Sequence, residues 1–302
     1  MSNLVFVTAN NLRWLSVMAK NMPEEAEDCT FKLFIEDRIG TQEDDVASIF
    51  KNAPGSYEVV HSEDLYREFS QATGIDYDGT LLGIYKMGMN NLPMWHFGKH
   101  CASYDKFLFI DDDIVLKEGF ARTFSLTRTS HLKSAFVNAS PARIDDCKGN
   151  MKRYWDALQE VAQTRFDEAQ WAEYKKNYAI TGHRVIMRDT TNFEALEAFY
   201  SRVYSNEALY GFCKRYYETG RGKTYAFYLD EITENLFFLS QGQGNNYLKD
   251  EKLVHVTYSA PEKTNYAKIA VPIIHVACGQ WKHDQYEALA NEGIISLPDD
   301  WS

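Results

Sequence analysis

The first 120 residues alternate between short apolar runs and amphipathic stretches. Residues 4–8 form a short apolar run typical of a buried strand, and residues 31–35 form a second segment of this kind. Residues 12–22 carry apolar side chains at helical spacing, a second helix is predicted over 43–51, and a short strand over 57–60. Strands that alternate with helices in this way are typical of βαβ units. The pattern therefore predicts an α/β fold with a mainly parallel sheet.

The alternation continues with weaker signals in the rest of the chain. Residues 84–100 are predicted as a helix that Pro93 kinks or divides, and residues 106–110 (KFLFI) are the most strand-like segment. Further helices are predicted over 151–177 and 232–239, and further strands over 178–187, 225–229, 253–258 and 269–276. There is no internal repeat and no clear linker. We therefore expect one domain over residues 1–302.

Composition narrows the class of protein. The chain has 302 residues, of which 45% are hydrophobic and 25% charged, as in an ordinary globular protein. The 43 acidic and 32 basic residues give a net charge of −11, which does not favour nucleic-acid or anionic-membrane binding. The five cysteines form no C-x-x-C pair, and no apolar run approaches the roughly 18–20 residues of a membrane span. We expect free thiols and a cytoplasmic location.

The strongest chemical signal is the acidic triplet Asp111-Asp112-Asp113, directly after the strand at 106–110. Ligands of open α/β sheets bind at the carboxyl ends of strands, where these acids stand. Carboxylate oxygens at this density suit Mg²⁺ or Mn²⁺. The alternative is a solvated acidic turn after an edge strand, which the apolar character of the strand disfavours.

Two later blocks also carry chemistry. Asp230-Glu231, with Asn235 one turn on, opens a predicted helix, where capping alone is an equally good explanation of Asp230. His275 ends the last apolar strand, followed by Gly279 and Lys282. Glycine permits close backbone approach and lysine can meet a phosphate, although a lone histidine is more often structural.

A third motif, DYDGTL over residues 76–81, is similar to the phosphatase motif of the haloacid dehalogenase family. There the first aspartate, here Asp76, is the nucleophile at the end of a buried strand, and Asp78 would assist it. Residues 71–75 make a poor buried strand. We therefore favour a turn with Asp and Gly in their usual places, and keep an Mg²⁺-dependent phosphatase as an alternative.

Together, the acidic triplet and the two later blocks resemble the glycogenin-type, family eight glycosyltransferases of the GT-A fold. The triplet matches the family's D-x-D motif, and Asp230 with Asn235 matches D-Q-x-x-x-N, with Glu231 in place of Gln. The last block matches H-x-x-G-x-x-K with one extra residue between His275 and Gly279. The resemblance covers nearly the whole chain. It implies a GT-A (Rossmann-like) sheet flanked by helices, with a nucleotide-binding half (1–120), and an acceptor half with a C-terminal metal-ligand extension (121–302).

The resemblance also implies an activity and a site. A sugar would pass from a nucleotide sugar, UDP-sugar being the usual donor, to a hydroxyl acceptor. Retention of configuration is the first expectation, and inversion, with Asp230 or Glu231 deprotonating the acceptor hydroxyl, is the alternative. Mn²⁺ or Mg²⁺ would be held by Asp111, Asp113 and His275, and Asp230 or Glu231 would be catalytic. The implied donor-side residues are Thr8, Asn10, Asn11, Lys86 (or Lys99 in its place), Asp112, Gly279 and Lys282.

The acceptor stays open. A glycan, a protein or hydroxymethylated pyrimidines in phage DNA would each fit a bacterial or virus-infected host cytoplasm. DNA would need a local basic surface, for which residues 214–223 with two tyrosines are the best candidate, unless they are a solvated helix end. A non-catalytic protein that binds nucleotide sugar or carbohydrate on the same fold is a further alternative. The oligomeric state is undetermined by sequence.

Overall fold

The computed structural model describes about half of the chain, including most of the first 125 residues and the C-terminal segment. The described residues are 3–9, 11–35, 43–74, 91–101, 103–104, 106–125, 130–132, 160, 185–189, 197–199, 201–202, 247–248, 254–257, 259–276 and 279–301.

The described elements comprise ten strands and five α-helices. The strands are β1 (Asn3–Ala9), β2 (Cys29–Ile35), β3 (Ser56–His61), β4 (Lys106–Asp111), β5 (Ile114–Leu116), β6 (Ser130–Leu132), β7 (Val185–Asp189), β8 (Tyr247–Leu248), β9 (Val254–Val256) and β10 (Ile273–His275). The helices are α1 (Leu12–Lys20), α2 (Glu43–Phe50), α3 (Ser62–Thr73), α4 (Asn91–His100) and α5 (Lys282–Asn291). Short 3₁₀ turns lie at Glu24–Asp28, Phe120–Ser125, Pro261–Lys263, Tyr266–Lys268 and Gly279–Trp281.

The main sheet has seven strands in the order β3-β2-β1-β4-β7-β6-β8. The first four are parallel, and β7 pairs antiparallel with both β4 and β6, while β8 is parallel to β6. This confirms the predicted α/β class and its mainly parallel sheet, and the order agrees with the expected GT-A type. In the parallel part the chain returns through helices, so the carboxyl ends of β1 and β4 lie side by side.

A second, three-stranded sheet stands beside the end of β4, in the order β5-β10-β9. Strand β10 pairs antiparallel with β5 and parallel with β9. His275 is opposite Ile114, the first residue of β5. The residues just after the acidic triplet are thereby joined to the C-terminal part of the chain.

Strand β1 is the centre of the core because both of its faces are covered. On one face Phe6 stacks on Phe109 of β4, with ring centroids 5.2 Å apart, and meets Phe97 of α4 edge-on. On the other face Val5 and Val7 are fully buried in a cluster that includes residues of α1 and α2. A second cluster joins α1, β10 and α5. The buried core therefore fixes the position of the strand ends that carry the acids.

The predicted elements of the first 125 residues are confirmed with shifted bounds. Helix α1 ends at Lys20, and Asn21 caps it through its side-chain amide. Pro93 lies in the first described turn of α4, where a missing N–H is tolerated. The strand expected over 269–276 is shorter, because only residues Ile273–His275 pair with neighbouring strands. A 3₁₀ turn, Tyr266–Lys268, precedes this segment.

Several predictions fall on other parts of the chain. The elements expected over 151–177, 225–229 and 232–239, and residues 178–184, lie outside the described residues. In the part that the structure describes, no helix combines the length and apolar character needed to cross a membrane. Cys29 and Cys101 are buried free thiols, as predicted.

Candidate functional site

The carboxyl ends of β1 and β4 bring Thr8 and Asp111 together. The two residues are register partners in the parallel pair, and the Thr8 hydroxyl donates to Asp111 Oδ1 at 2.7 Å. The backbone N–H of Asp112 donates to the carbonyl oxygen of Thr8 at 3.0 Å. Both contacts follow from the apolar runs, which fix the strands as neighbours and set their register.

Asp112 accepts a hydrogen bond from the backbone at the start of α1. This residue is buried, and its Oδ2 accepts the backbone N–H of Asn11 at 2.7 Å. The Asn11 side chain in turn accepts the N–H of Arg13 at 3.0 Å, which makes Asn11 the N-cap of the helix. The three acids are therefore not equivalent. Asp112 and Asn11 have structural partners, and their predicted donor-side roles stay predictions.

Asp113 is the buried acid at the centre of the site. Its Oδ1 lies 3.1 Å from His275 Nε2, and its Oδ2 accepts a hydrogen bond from Lys282 Nζ at 2.5 Å. His275 is placed by the antiparallel β10–β5 pair and by the Val276 N–H, which donates to the carbonyl oxygen of Asp113 at 3.0 Å. The carboxylate thus meets a histidine and a lysine from a segment more than 160 residues away in sequence.

The charges of Asp113 and Lys282 stabilise each other. Burial alone would raise the pKa of Asp113, but His275 and Lys282 together lower this pKa well below its usual range. Burial alone would lower the pKa of Lys282, but Asp113, with Asp112 and Asp111, raises it above its usual value. Both groups therefore stay charged at neutral pH.

An aromatic cluster positions Lys282 at the first turn of α5. Tyr286 of the same helix stacks on Trp14 of α1, with ring centroids 5.1 Å apart. The indole of Trp301 packs against both rings, and the Arg13 guanidinium lies 4.4 Å from its centroid and donates to its carbonyl oxygen. These four residues were absent from the predicted site. For the three aromatic residues among them, the aromatic side chain itself was the signal in the sequence.

Asp113 and His275 are a credible pair of metal ligands. Two adjacent ligands of an octahedral ion at about 2.1 Å lie about 3 Å apart, close to the 3.1 Å between Asp113 Oδ1 and His275 Nε2. Among the described residues, the groups of three or more acids and histidines whose ligand atoms all lie within 4.8 Å are Glu68–His96–His100 and His283–Asp284–Glu287. Asp111, whose carboxylate accepts from Thr8, does not complete such a group in this structure. Asp113 and His275 therefore fit a divalent ion as two adjacent ligands, and Asp111 lies nearby at the end of β4.

The remaining predicted residues divide into described and undescribed ones. Gly279 begins the 3₁₀ turn that precedes α5. Lys99 lies on α4, where its ammonium pairs with Glu68 at 3.1 Å. Four predicted residues lie outside the described ranges: Asn10, Lys86, Asp230 and Glu231. The basic segment 214–223 and the motif at 76–81 also lie outside them.

The structure counts against the phosphatase hypothesis. The segment before Asp76 is not a strand, because α3 continues to Thr73 and ends at Gly74 with a left-handed φ of 73°. A single residue separates Gly74 from Asp76. No buried strand fits in that interval to present a nucleophile.

Comparison with known proteins gives structural similarity only. No protein-family model and no curated protein matches the sequence. The structure is similar to mouse xyloside xylosyltransferase 1, with a TM-score of 0.42 and 11% identity, over 92% of this chain and 98% of the other. It is also similar to the galactosyltransferase LgtC, described in complex with donor and acceptor sugar analogues, with a TM-score of 0.45 and 13% identity, over 99% of this chain and 98% of the other. An active-site mutant of LgtC gives the same values.

Proposed function

We propose that the protein is a metal-dependent glycosyltransferase that uses a nucleotide sugar, specifically a UDP-sugar, as donor. The observation that carries the proposal is the contact of Asp113 with both His275 and Lys282 at the carboxyl end of a parallel sheet, next to Asp111. Ligands of α/β sheets bind at this end. A carboxylate–histidine pair beside a lysine is suited to an ion and a phosphate group together.

Asp113 and His275 would hold Mn²⁺ or Mg²⁺, with Asp111 contributing from the strand end. When bound, the ion neutralises negative charge on a diphosphate leaving group. Lys282 holds a second positive charge at the same place, and its raised pKa keeps that charge at neutral pH. Since α5 is packed on α1, the ammonium is oriented before the donor arrives.

The sugar side of the reaction would involve residues outside the described ranges. Asp230 is proposed to lie below the anomeric carbon and stabilise positive charge there during a transfer with retention. If configuration is inverted, Asp230 or Glu231 would instead deprotonate the acceptor hydroxyl. Thr8, Asn10, Asn11, Lys86, Asp112 and Gly279 are proposed to border the donor. Its sugar would pass to a hydroxyl of an acceptor of the glycan, protein or modified-DNA class, and UDP would leave.

The first test is a calorimetric titration of UDP with Mn²⁺ and again after chelation. We expect binding that depends on the metal and is lost in Asp113→Asn, because this variant removes the charge that holds the ion. Asp299→Asn is the matched control, since the side chain of Asp299 is fully exposed and pairs with Lys20 at 3.6 Å, away from Asp113. Equal UDP binding by Asp113→Asn and the wild type would contradict the proposal.

Catalysis is tested separately from binding. A panel of UDP-sugars is incubated with Mn²⁺, first without acceptor to detect slow donor hydrolysis, then with glycans, proteins and hydroxymethylated DNA. NMR of the product gives the anomeric configuration. Metal-dependent binding with neither hydrolysis nor transfer would favour the non-catalytic binding protein.

A further inference from the structure

A second cluster of potential metal ligands lies between α3 and α4, neither of which supplies a residue to the Asp113 site. Glu68 of α3 faces His96 and His100, which are four residues apart on α4 and so share one face of that helix. The imidazole rings have centroids 4.5 Å apart. The ligand atoms of the three residues all lie within 4.8 Å of one another.

The Glu68 carboxylate lies between the two imidazoles. Its Oε1 is 2.6 Å from His100 Nε2, and its Oε2 is 3.5 Å from His96 Nδ1. Ligands of a tetrahedral zinc ion, bound at about 2.0–2.1 Å, lie about 3.3 Å from one another. Against this spacing of about 3.3 Å, the His96–Glu68 distance of 3.5 Å already agrees, whereas the His100–Glu68 distance of 2.6 Å is shorter, so the His100 ring would move back from Glu68 to admit an ion.

His96 supplies the second observation. This residue is 9% exposed, and neither of its ring nitrogens makes a hydrogen bond within the described part of the chain. A buried imidazole without a hydrogen bond is uncommon, because each unmet polar group costs free energy. A bound ion would satisfy the nitrogen that faces Glu68.

The other three-residue group, on α5, lacks these features. Its members His283, Asp284 and Glu287 belong to a single helix, and their side chains are 38%, 58% and 49% exposed. No member is buried, and exposed acids of this kind are common without an ion. The α3–α4 cluster is distinguished by its buried histidine and by ligands from two elements.

We propose that Glu68, His96 and His100 form a binding site for Zn²⁺ or a similar first-row transition ion, separate from the site of sugar transfer. Two imidazole nitrogens and one carboxylate oxygen are a common set of three protein ligands for zinc, with solvent as the fourth ligand. His100 and Glu68 are partly exposed, which leaves that fourth position open. The ion would link α3 to α4.

Metal binding changes the hydrogen bonding of the cluster in a defined way. In the metal-free protein His100 Nε2 and Glu68 Oε1 are within hydrogen-bond distance at 2.6 Å. Burial alone would raise the pKa of Glu68, but Lys99 and His100 lower it. In the bound form Nε2 offers its lone pair to the ion, and the ring proton resides on Nδ1. Lys99 competes with the ion, because its ammonium lies 3.1 Å from Glu68 Oε1.

The test uses Co²⁺ as a spectroscopic probe for zinc in full-length protein stripped of metal by chelation. Tetrahedral Co²⁺ gives visible absorption bands that octahedral Co²⁺ at an oxygen-rich site does not match. We expect one equivalent of this signal in the wild type, displaced by Zn²⁺. His100→Ala and Glu68→Gln should each weaken the affinity at least tenfold; both change partly exposed side chains, so the chain should still fold.

Lys99→Met is the matched control within the same cluster. It removes a contact to Glu68 without removing a ligand, so binding should be kept or become tighter. If Glu68, His96 and His100 only pair with one another and bind no metal, the wild type should give no tetrahedral Co²⁺ signal. That result, or an equal signal in His100→Ala and the wild type, would overturn the proposal.

Discussion

At the residue scale, the proposed binding of a diphosphate depends on Lys282, which contacts Asp113. Lys282→Met removes the ammonium while keeping an unbranched side chain on Trp14, whose ring centroid lies 5.8 Å from Lys282 Nζ. A hydrogen bond to a charged group contributes about 1.5–3 kcal/mol. We therefore expect UDP affinity, measured calorimetrically with Mn²⁺, to fall about 10- to 150-fold. Lys20→Met, on the exposed end of α1, is the control and should leave the affinity unchanged.

A second residue-scale prediction concerns the thiols. Burial raises the pKa of both Cys29 and Cys101 to about 12, with nearby acids adding to the effect at Cys29. Since the thiolate is the reactive form, about one thiol in 10⁴ is ionised at pH 8. Mass spectrometry after alkylation of the native protein should show these two cysteines unmodified, and alkylation in denaturant should modify both. Rapid native labelling of either would show that its side chain is accessible.

At the scale of elements, the attachment of α5 to α1 holds Lys282 in position. Trp301 is buried against Arg13, Trp14 and Tyr286. Trp301→Ala should lower the free energy of unfolding by about 3–5 kcal/mol, as measured by denaturant titration. It should also weaken UDP binding with Mn²⁺, although Trp301 is not proposed to touch the donor.

The control for this prediction is Trp281→Ala, for which only the free energy of unfolding is measured. Trp281 is 40% exposed, so its removal should change the free energy of unfolding by no more than about 0.5 kcal/mol. If the two variants are equally stable, the aromatic packing does not hold the C-terminal segment. If Trp301→Ala keeps the full UDP affinity, Lys282 is positioned by other contacts.

The same elements show what could be predicted from sequence. Strands β1, β2 and β4 are mostly apolar because neighbouring elements bury both faces, and the acids could be placed at a strand end for that reason. Strand β9 lies within the strand predicted over 253–258. Helix α5 was not predicted, since its buried positions are only Gln285, Tyr286 and Leu289. The three-residue strand β5 is too short to show a period. The contact of Asp113 with His275 depends on the β5–β10 pair and could be expected only from the family resemblance.

At the scale of the whole molecule, the net charge of −11 opposes the binding of an anionic diphosphate. The buried Asp113, with Asp112 and Asp111 around it, adds local negative potential that Lys282 alone does not cancel. A divalent ion at this place would reverse the local sign. The ion and the nucleotide should therefore favour each other's binding, and by linkage the coupling is the same in both directions.

This coupling can be measured through thermal stability. A ligand that binds the folded state raises Tm in proportion to the logarithm of its concentration over Kd. We expect UDP alone to leave Tm unchanged, Mn²⁺ alone to raise it slightly, and the two together to raise it by more than the sum. Asp113→Asn should lose this excess because the ion is no longer held, while Asp299→Asn should keep it. Purely additive shifts in the wild type would mean that the ion and the nucleotide do not favour each other's binding, and the metal-dependent donor site proposed at the acidic strand end would be contradicted.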